Sequence, residues 1–270
     1  MKWSKEAEKT IQRVPFFIRK MVKKRVEAYA QEQGVSAITN EHIDACRQRF
    51  MKSMDRELKG YAVETCLGAQ GCTNRTLSDT SIADEIDSFL QAQRMKEFLQ
   101  ERLCHPLKVH NEFRVSISFC PNSCSRPQIV DIGLIGAVCP VIADKKCTGC
   151  TLCQKACQEE AIELGEDFIT IDKNKCLYCG HCIKDCPTGT ITMKKEGFRV
   201  LVGGKLGRHP QLGFELPGVF APQEALELIR KITLFYKANC KNGERLGALL
   251  AKTGLGVLKK ELNLSSQGKI

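Results

Sequence analysis

The chain has 270 residues, with 41 Lys and Arg against 31 Asp and Glu (net charge +10) and 16 cysteines. At 43% hydrophobic and 27% charged it can bury a real core, which excludes a disordered chain, and its length excludes the short secreted scaffolds stapled by disulfides. The charged start MKWSKEAEKTIQR lacks the apolar stretch of a signal peptide, and the longest uncharged apolar run, Ile132 to Ala143, is 12 residues, so a cytoplasmic protein with no membrane span is expected.

Residues 1–57 read as a separate helical piece. A short helix starts from Ser4, and a longer one has Pro15 at its first turn and stops at Gly34. A third follows the Thr39-Asn40 cap, with Ile43, Phe50 and Met54 on one face. After Cys66 and Cys72, Ser81 to Leu103 is predicted as an amphipathic helix with Ile82, Ile86, Phe89 and Leu90 on its apolar side. Arg114 to Phe119 alternates as a strand: Val115, Ile117 and Phe119 face one way, and Arg114, Ser116 and Ser118 the other. It delivers the chain to Cys120-Pro-Asn-Ser-Cys124. Strands at 129–135 and 198–202 bracket a cysteine-rich stretch, and a helix over 222–237 opens on a proline. The expected fold class is α+β, helices covering a sheet.

The basic balance does not point to nucleic acid. Positive residues are scattered, with clusters only at 20–25 and 194–205, and no RNA-binding signature, zinc-finger spacing or helix-turn-helix pattern accompanies them. The cysteines are more specific. Cys147, Cys150, Cys153 and Cys157 are spaced C-x2-C-x2-C-x3-C, and Cys176, Cys179, Cys182 and Cys186, followed by Pro187, repeat the spacing 29 residues later. In such a run the fourth thiolate serves the other cluster. The expected quartets are therefore Cys147, Cys150, Cys153 and Cys186 for cluster one, and Cys157, Cys176, Cys179 and Cys182 for cluster two. Zinc pairs and disulfides do not need the third and fourth cysteines at these offsets. Residues 144–190 thus read as a bacterial-type ferredoxin with two [4Fe-4S] clusters. Cys66 and Cys72 (C-x5-C) and, 47 residues on, Cys120 and Cys124 (C-x3-C) make a third four-thiol site, for which zinc, iron–sulfur and an empty site all remain open on composition. Cys46, Cys104, Cys139 and Cys240 fit no motif and read as structural thiols. His110, His181 and His209 read as surface residues.

The C-x5-C pair followed by CPNSC resembles the signature of the sirohaem and [4Fe-4S] reductases of sulfite and nitrite. Asp131-Ile-Gly, Val202-Gly-Gly-Lys205 with Gly207, Arg208 and Pro210, and Gly243-Glu-Arg-Leu246 extend the resemblance over 61–262, and the ferredoxin insert resembles the dissimilatory and anaerobic sulfite reductase subunits. The resemblance implies a third [4Fe-4S] cluster on Cys66, Cys72, Cys120 and Cys124, and a sirohaem bridged through Cys124. Arg75, Asn122, Lys205 and Arg208 would lie beside the sirohaem. Arg114, at the offset of a family lysine, would act with Lys205 and Arg75 on a small oxyanion such as sulfite. A second family lysine is here Glu112, which would repel an anion. Residues 1–57, through Trp3, Pro15 and Ile38-Thr-Asn-Glu41, resemble a small C-terminal domain found in light-independent protochlorophyllide reductase. The expected organisation is a helical domain at 1–57, a reductase-like core at 61–143 and 191–262, and the ferredoxin at 144–190. An electron-donor protein or partner redox subunit, or pairing of two copies of the chain, is expected. The competing reading is an electron-transfer subunit without sirohaem or catalysis of its own.

Overall fold

The computed structural model describes residues 1–165 and 168–264, with only the backbone of 51–57. It divides into two compact units, 1–58 and 59–270. In the first, β1 (Lys2–Trp3) pairs in parallel with β2 (Ala37–Ile38), and helices α1 (Lys5–Gln12), α2 (Phe16–Glu32) and α3 (Asn40–Glu57) pack around Ala7, Val26, Ala30, Ile38 and Ile43. Ser4 caps α1 by accepting from the Ala7 N–H at 3.1 Å. On α3, Ile43 is buried, whereas Phe50 is exposed beneath the Arg25 guanidinium at 4.8 Å; the Met54 side chain lies outside the described residues.

The second unit is built on a five-stranded mixed sheet. β3 (Tyr61–Thr65), β4 (Phe113–Ser118) and β5 (Ile132–Ile142) run parallel; β8 (Ile191–Val202) and β9 (Phe214–Glu215) continue antiparallel, giving the order β3-β4-β5-β8-β9. Parallel strands need long crossovers. The one from β3 to β4 carries α4 (Ile82–Ala92) and α5 (Met95–Gln100). Between β5 and β8 lie α6 (Leu152–Ala156), the hairpin β6 (Ile162–Leu164) and β7 (Ile169–Ile171), and α7 (His181–Lys184). Helices α8 (Pro222–Asn239), α9 (Leu246–Thr253) and α10 (Leu255–Glu261) close the chain. One sheet face, carrying Phe113, Val115, Ile117 and Phe119, is covered by helices: the Tyr236 ring of α8 lies 5.0 Å from Phe113. The opposite face carries Glu64, Arg114, Ser116, Ser118, Arg199 and Glu215.

Several elements differ from the sequence reading, among them β8, which begins at Ile191 rather than at 198. The helix expected over 81–103 breaks at Arg94, whose φ is 52°. The break ends α4 where Lys237 Nζ donates to the Gln93 carbonyl at 2.7 Å, and Gly60 packs so closely on Lys96 that a Cβ there would stand 2.4 Å from its backbone nitrogen. β5 runs seven residues past Ile135, through Pro140, which sits at an irregularity in the pairing with β8. β3 is an added strand, too short to show alternation in the sequence.

The ferredoxin segment does not stand apart as a body of its own but packs within the second unit. Val138 of β5 donates its N–H to the Tyr178 carbonyl at 2.7 Å, and Ala143 donates to Thr190 at 2.8 Å. Among the described residues, no helix is long and apolar enough to cross a membrane.

Candidate metal centre

The sheet brings the two distant cysteine pairs together. β3 and β4 are parallel and in register, Thr65 opposite Ile117, so both strands release their chains at the same edge. Cys66 donates its N–H to the Ile117 carbonyl at 3.0 Å, and its Sγ accepts from the N–H groups of Gly68 (3.3 Å) and Phe119 (3.4 Å). Thr76 Oγ1 ties the loop after Cys72 to the Phe119 carbonyl at 2.8 Å. Burial pushes the Cys120 thiol up against the Asn122 N–H, which lowers it, and the nearby Cys66, Cys124 and Cys72 push it further up. Two buried hydroxyls on β4 hold the CPNSC turn. Ser116 Oγ donates to the Ser125 carbonyl and Ser118 Oγ meets Ser125 Oγ, both at 2.7 Å. Asn122 Nδ2 donates to Cys124 Sγ at 3.1 Å, while the Cys124 thiol is exposed. Behind the site a Cβ on Gly136 would stand 2.6 Å from the Phe119 carbonyl carbon, so only glycine admits the turn this close to β5.

The two ferredoxin runs repeat in backbone conformation as well as in spacing. Positive φ recurs 29 residues apart, at Gly149 and Tyr178, at Thr151 and Gly180, and at Glu160 and Gly189. Gly149 donates its N–H to Cys147 Sγ (3.3 Å) and Tyr178 to Cys176 Sγ (3.4 Å); Ala161 donates to Cys157 Sγ (3.3 Å) and Ile191 to Cys186 Sγ (3.4 Å). Burial raises the Cys153 thiol, with Cys186, Cys147 and Cys150 adding to it. The Cys182 thiol is pushed up to about 12, by burial first and then by Cys176, Cys179, Cys157 and Cys153. Cys186 is thus among the neighbours acting on Cys153, and Cys157 among those acting on Cys182, which also feels Cys153 of the other run. Among the described residues no three His, Cys, Asp or Glu side chains stand tightly enough to hold a single metal ion.

Third site and ferredoxin share a cleft. A cavity of about 270 Å³ is lined by Asn74, Thr76, Cys120, Pro121 and Asn122 on one side and by Gln158, Glu159, Leu177, Cys179 and His181 on the other. Cys179 of the second run and Cys120 of the CPNSC turn therefore line one cleft, and His181, set aside in the sequence as a surface residue, lines it too.

The basic residues expected near Cys124 are spread more widely. Arg75 is half-buried in the turn after Cys72, its N–H bonded to the Cys72 carbonyl at 3.3 Å. Arg114 is the second residue of β4, roughly 20 Å along the chain from Cys120 at about 3.3 Å per residue. It lies 4.0 Å from Glu64, and its Nε is buried without an acceptor. Lys205 and Arg208 sit on the loop after β8, beside the start of β5; Lys205 Nζ donates to the His209 carbonyl and Arg208 is exposed. Glu112 is buried at the foot of β4, where it accepts from the backbone of Gly60 and Lys59, and burial raises its carboxyl above the ordinary 4.5. Asp131, fully buried, binds Arg245 through Nε at 2.9 Å and Nη2 at 2.7 Å, and also takes the N–H groups of Arg114 (2.9 Å) and Leu246 (3.0 Å).

Residues 60–270 match the family model described as "Nitrite and sulphite reductase 4Fe-4S domain". The chain belongs to this family. Residues 3–47 match "Proto-chlorophyllide reductase 57 kD subunit". A coenzyme F420-dependent sulfite reductase of Methanocaldococcus jannaschii is 33% identical over 203 residues, 74% of this chain and 30% of that protein. A component of an ion-translocating oxidoreductase complex of Methanosarcina acetivorans is 40% identical over 60 residues, 22% of this chain and 21% of that component. The crystal structure of dissimilatory sulfite reductase I shares the fold at a TM-score of 0.51 and 19% identity, over 76% of this chain and 52% of that one. The chain thus spans between about a fifth and a half of these relatives. It is an iron–sulfur oxidoreductase-family protein related to sulfite and nitrite reductases.

Proposed function

We propose that this chain is an iron–sulfur electron-transfer component of a sulfite-reductase-like system, holding three [4Fe-4S] clusters. Cys147, Cys150, Cys153 and Cys186 would hold the first; Cys157, Cys176, Cys179 and Cys182 the second; and Cys66, Cys72, Cys120 and Cys124 the third. When bound, such clusters supply one-electron redox chemistry. The observation that supports the reading is the cleft lined by both Cys179 and Cys120, one cysteine from each of two proposed quartets. The donor sets fit cubanes. Each quartet is all thiol, and backbone N–H groups aim at Cys147, Cys157, Cys176, Cys186 and Cys66 sulfurs, where they offset the negative charge of ligating thiolates. Zinc bound at about 2.3 Å would draw its thiols closer together than these stand. Around the third site, Thr76, Ser116 and Ser118 fix the two loops, and Asn122 orients the Cys124 sulfur.

The test is iron, sulfide and electron paramagnetic resonance on protein made and handled anaerobically. About twelve irons per chain are expected. About eight would remove the third cluster, and zinc without iron would end the reading.

A second reading places sirohaem against Cys124, making the chain part of a catalyst acting on sulfite or a similar oxyanion. It is favoured by the exposed Cys124 thiol and by the buried, unpaired Nε of Arg114, with Arg75, Lys205 and Arg208 as further cations. An extractable tetrapyrrole from protein expressed in a sirohaem-making host, with sulfite- or nitrite-dependent oxidation of reduced viologen, decides for it; iron–sulfur absorption alone decides against it.

A further inference from the structure

Both ferredoxin runs are basic, with three lysines and no acid at 145–158 and again at 173–184, but Leu177, Cys179 and His181 of the second run line the cleft to the third site, which leaves the surface over the Cys147–Cys153 loop as the open one. From Cys186 to Lys195, which closes the first quartet, the chain again holds no acid. Lys145, Lys146 and Lys155 are exposed, and no described carboxylate pairs with them. Lys145 reaches across to the second segment: its Nζ stands 3.3 Å from where a Cβ on Gly189 would sit. The two segments are bound together, Ala143 donating to the Thr190 carbonyl and Thr190 Oγ1 to that of Lys146. Between Lys146 and Lys155 in the chain, Leu152 is 45% exposed and Cys150 is exposed. Asp144 and Asp185 flank these stretches, and Glu159 lines the cleft to the third site. One run is therefore turned inward, against the third site and β5, and the other is left open with exposed lysines and an apolar residue.

We infer that the Lys145, Lys146, Lys155 and Leu152 surface is the docking site of a small electron-carrier protein with an acidic face around its own redox centre. This rests on the electron-transfer reading above and adds where, and to what chemistry, the chain is open. The carrier gives up one electron and the chain gains it; no bond forms or breaks. Opposed charges steer such encounters and orient them, and a single apolar contact suits a partner that must leave again. Anionic lipid or nucleic acid would match the charge but carry no electron.

The experiment uses the cluster-loaded chain and a plant-type [2Fe–2S] ferredoxin as the acidic probe, with binding measured by calorimetry at low and high salt. The triple variant K145E/K146E/K155E should bind about ten- to a hundredfold more weakly at low salt, and the wild-type affinity should fall as salt rises. L152S should weaken binding at both salt concentrations. Reduction by methyl viologen, which needs no docking, should remain complete in all forms. If viologen reduces every form yet ferredoxin binds the triple variant as well as the wild type, or without salt dependence, the docking site is overturned and the electron-transfer reading stands. Loss of binding only to phosphatidylserine vesicles overturns it too. Failure of viologen to reduce the wild type overturns both.

Discussion

Replacing Asp131 by Asn tests the buried joint that positions the reductase-like core. The carboxylate is inaccessible to solvent and receives Arg245 Nε and Nη2, the N–H of Arg114 at the start of β4, and the N–H of Leu246 at the start of α9. An amide of the same shape keeps one accepting oxygen, but turns an NH2 toward donors and leaves the guanidinium without its counter-charge. Breaking a buried pair costs about 3–5 kcal/mol, and the 20% exposure of the Arg245 side chain places this one near 3. In a unit of this size that is a fall of about 6–12 °C in the melting midpoint. Anaerobic thermal melts followed by circular dichroism read it, on D131N, R245M and the double variant. The double variant should lose less than the sum of the singles, because removing both charges leaves none stranded. A fall of less than about 2 °C in D131N, or simple additivity, refutes the reasoning.

Ser118→Ala should leave the Ser125 hydroxyl and N–H without their buried partner, cost about 1–3 kcal/mol, and lower third-site iron while sparing the ferredoxin clusters; unchanged iron per chain contradicts it. Gly136→Ala drives a methyl into the Phe119 carbonyl, so destabilisation of about 1–3 kcal/mol is expected in chemical denaturation, and a neutral result would show that the turn moves freely. Glu112 has a folded pKa raised by burial, so the folded state holds its proton to higher pH than the unfolded chain does. Its contribution to stability is therefore lost as pH climbs from about 4.5 through the folded value. Glu112→Gln should remove that decline, the two stability curves meeting in acid and separating above it; parallel curves would show that Glu112 is not the titrating group.

The repeat of the two ferredoxin runs was legible because ligand spacing is local: two C-x2-C-x2-C-x3-C runs 29 residues apart match the positive φ angles that recur at the same interval. Cys66 and Cys72 with Cys120 and Cys124 were legible as two pairs making one site, but what that site would hold came from resemblance, and the strand that brings the pairs to one edge, Tyr61–Thr65, is too short to alternate visibly. The break at Arg94 carries no glycine or proline; its causes, Lys237 and Gly60, lie far away in the chain. The supports of the CPNSC turn were hidden for the same reason, because Ser116 and Ser118 read as the polar face of a strand and only the returning segment through Ser125 buries them. His181 shows the converse, a histidine with no motif of its own that the fold sets in the cleft.

The parallel pairing of β3 with β4 also sets an order of assembly. The ferredoxin quartets lie within the 40 residues from Cys147 to Cys186, on turns whose left-handed residues are fixed locally. The third quartet exists only once Thr65 lies opposite Ile117, across a crossover that must first fold its helices. Non-local parallel pairing is the slow part of folding. On the three-cluster reading proposed above, iron supplied to a newly made chain would meet the two local sites first, and the third would fill only in a chain whose sheet is already in register. In a cell short of iron, partly loaded chains would carry the ferredoxin pair and lack the third cluster, making that cluster a marker of completed folding.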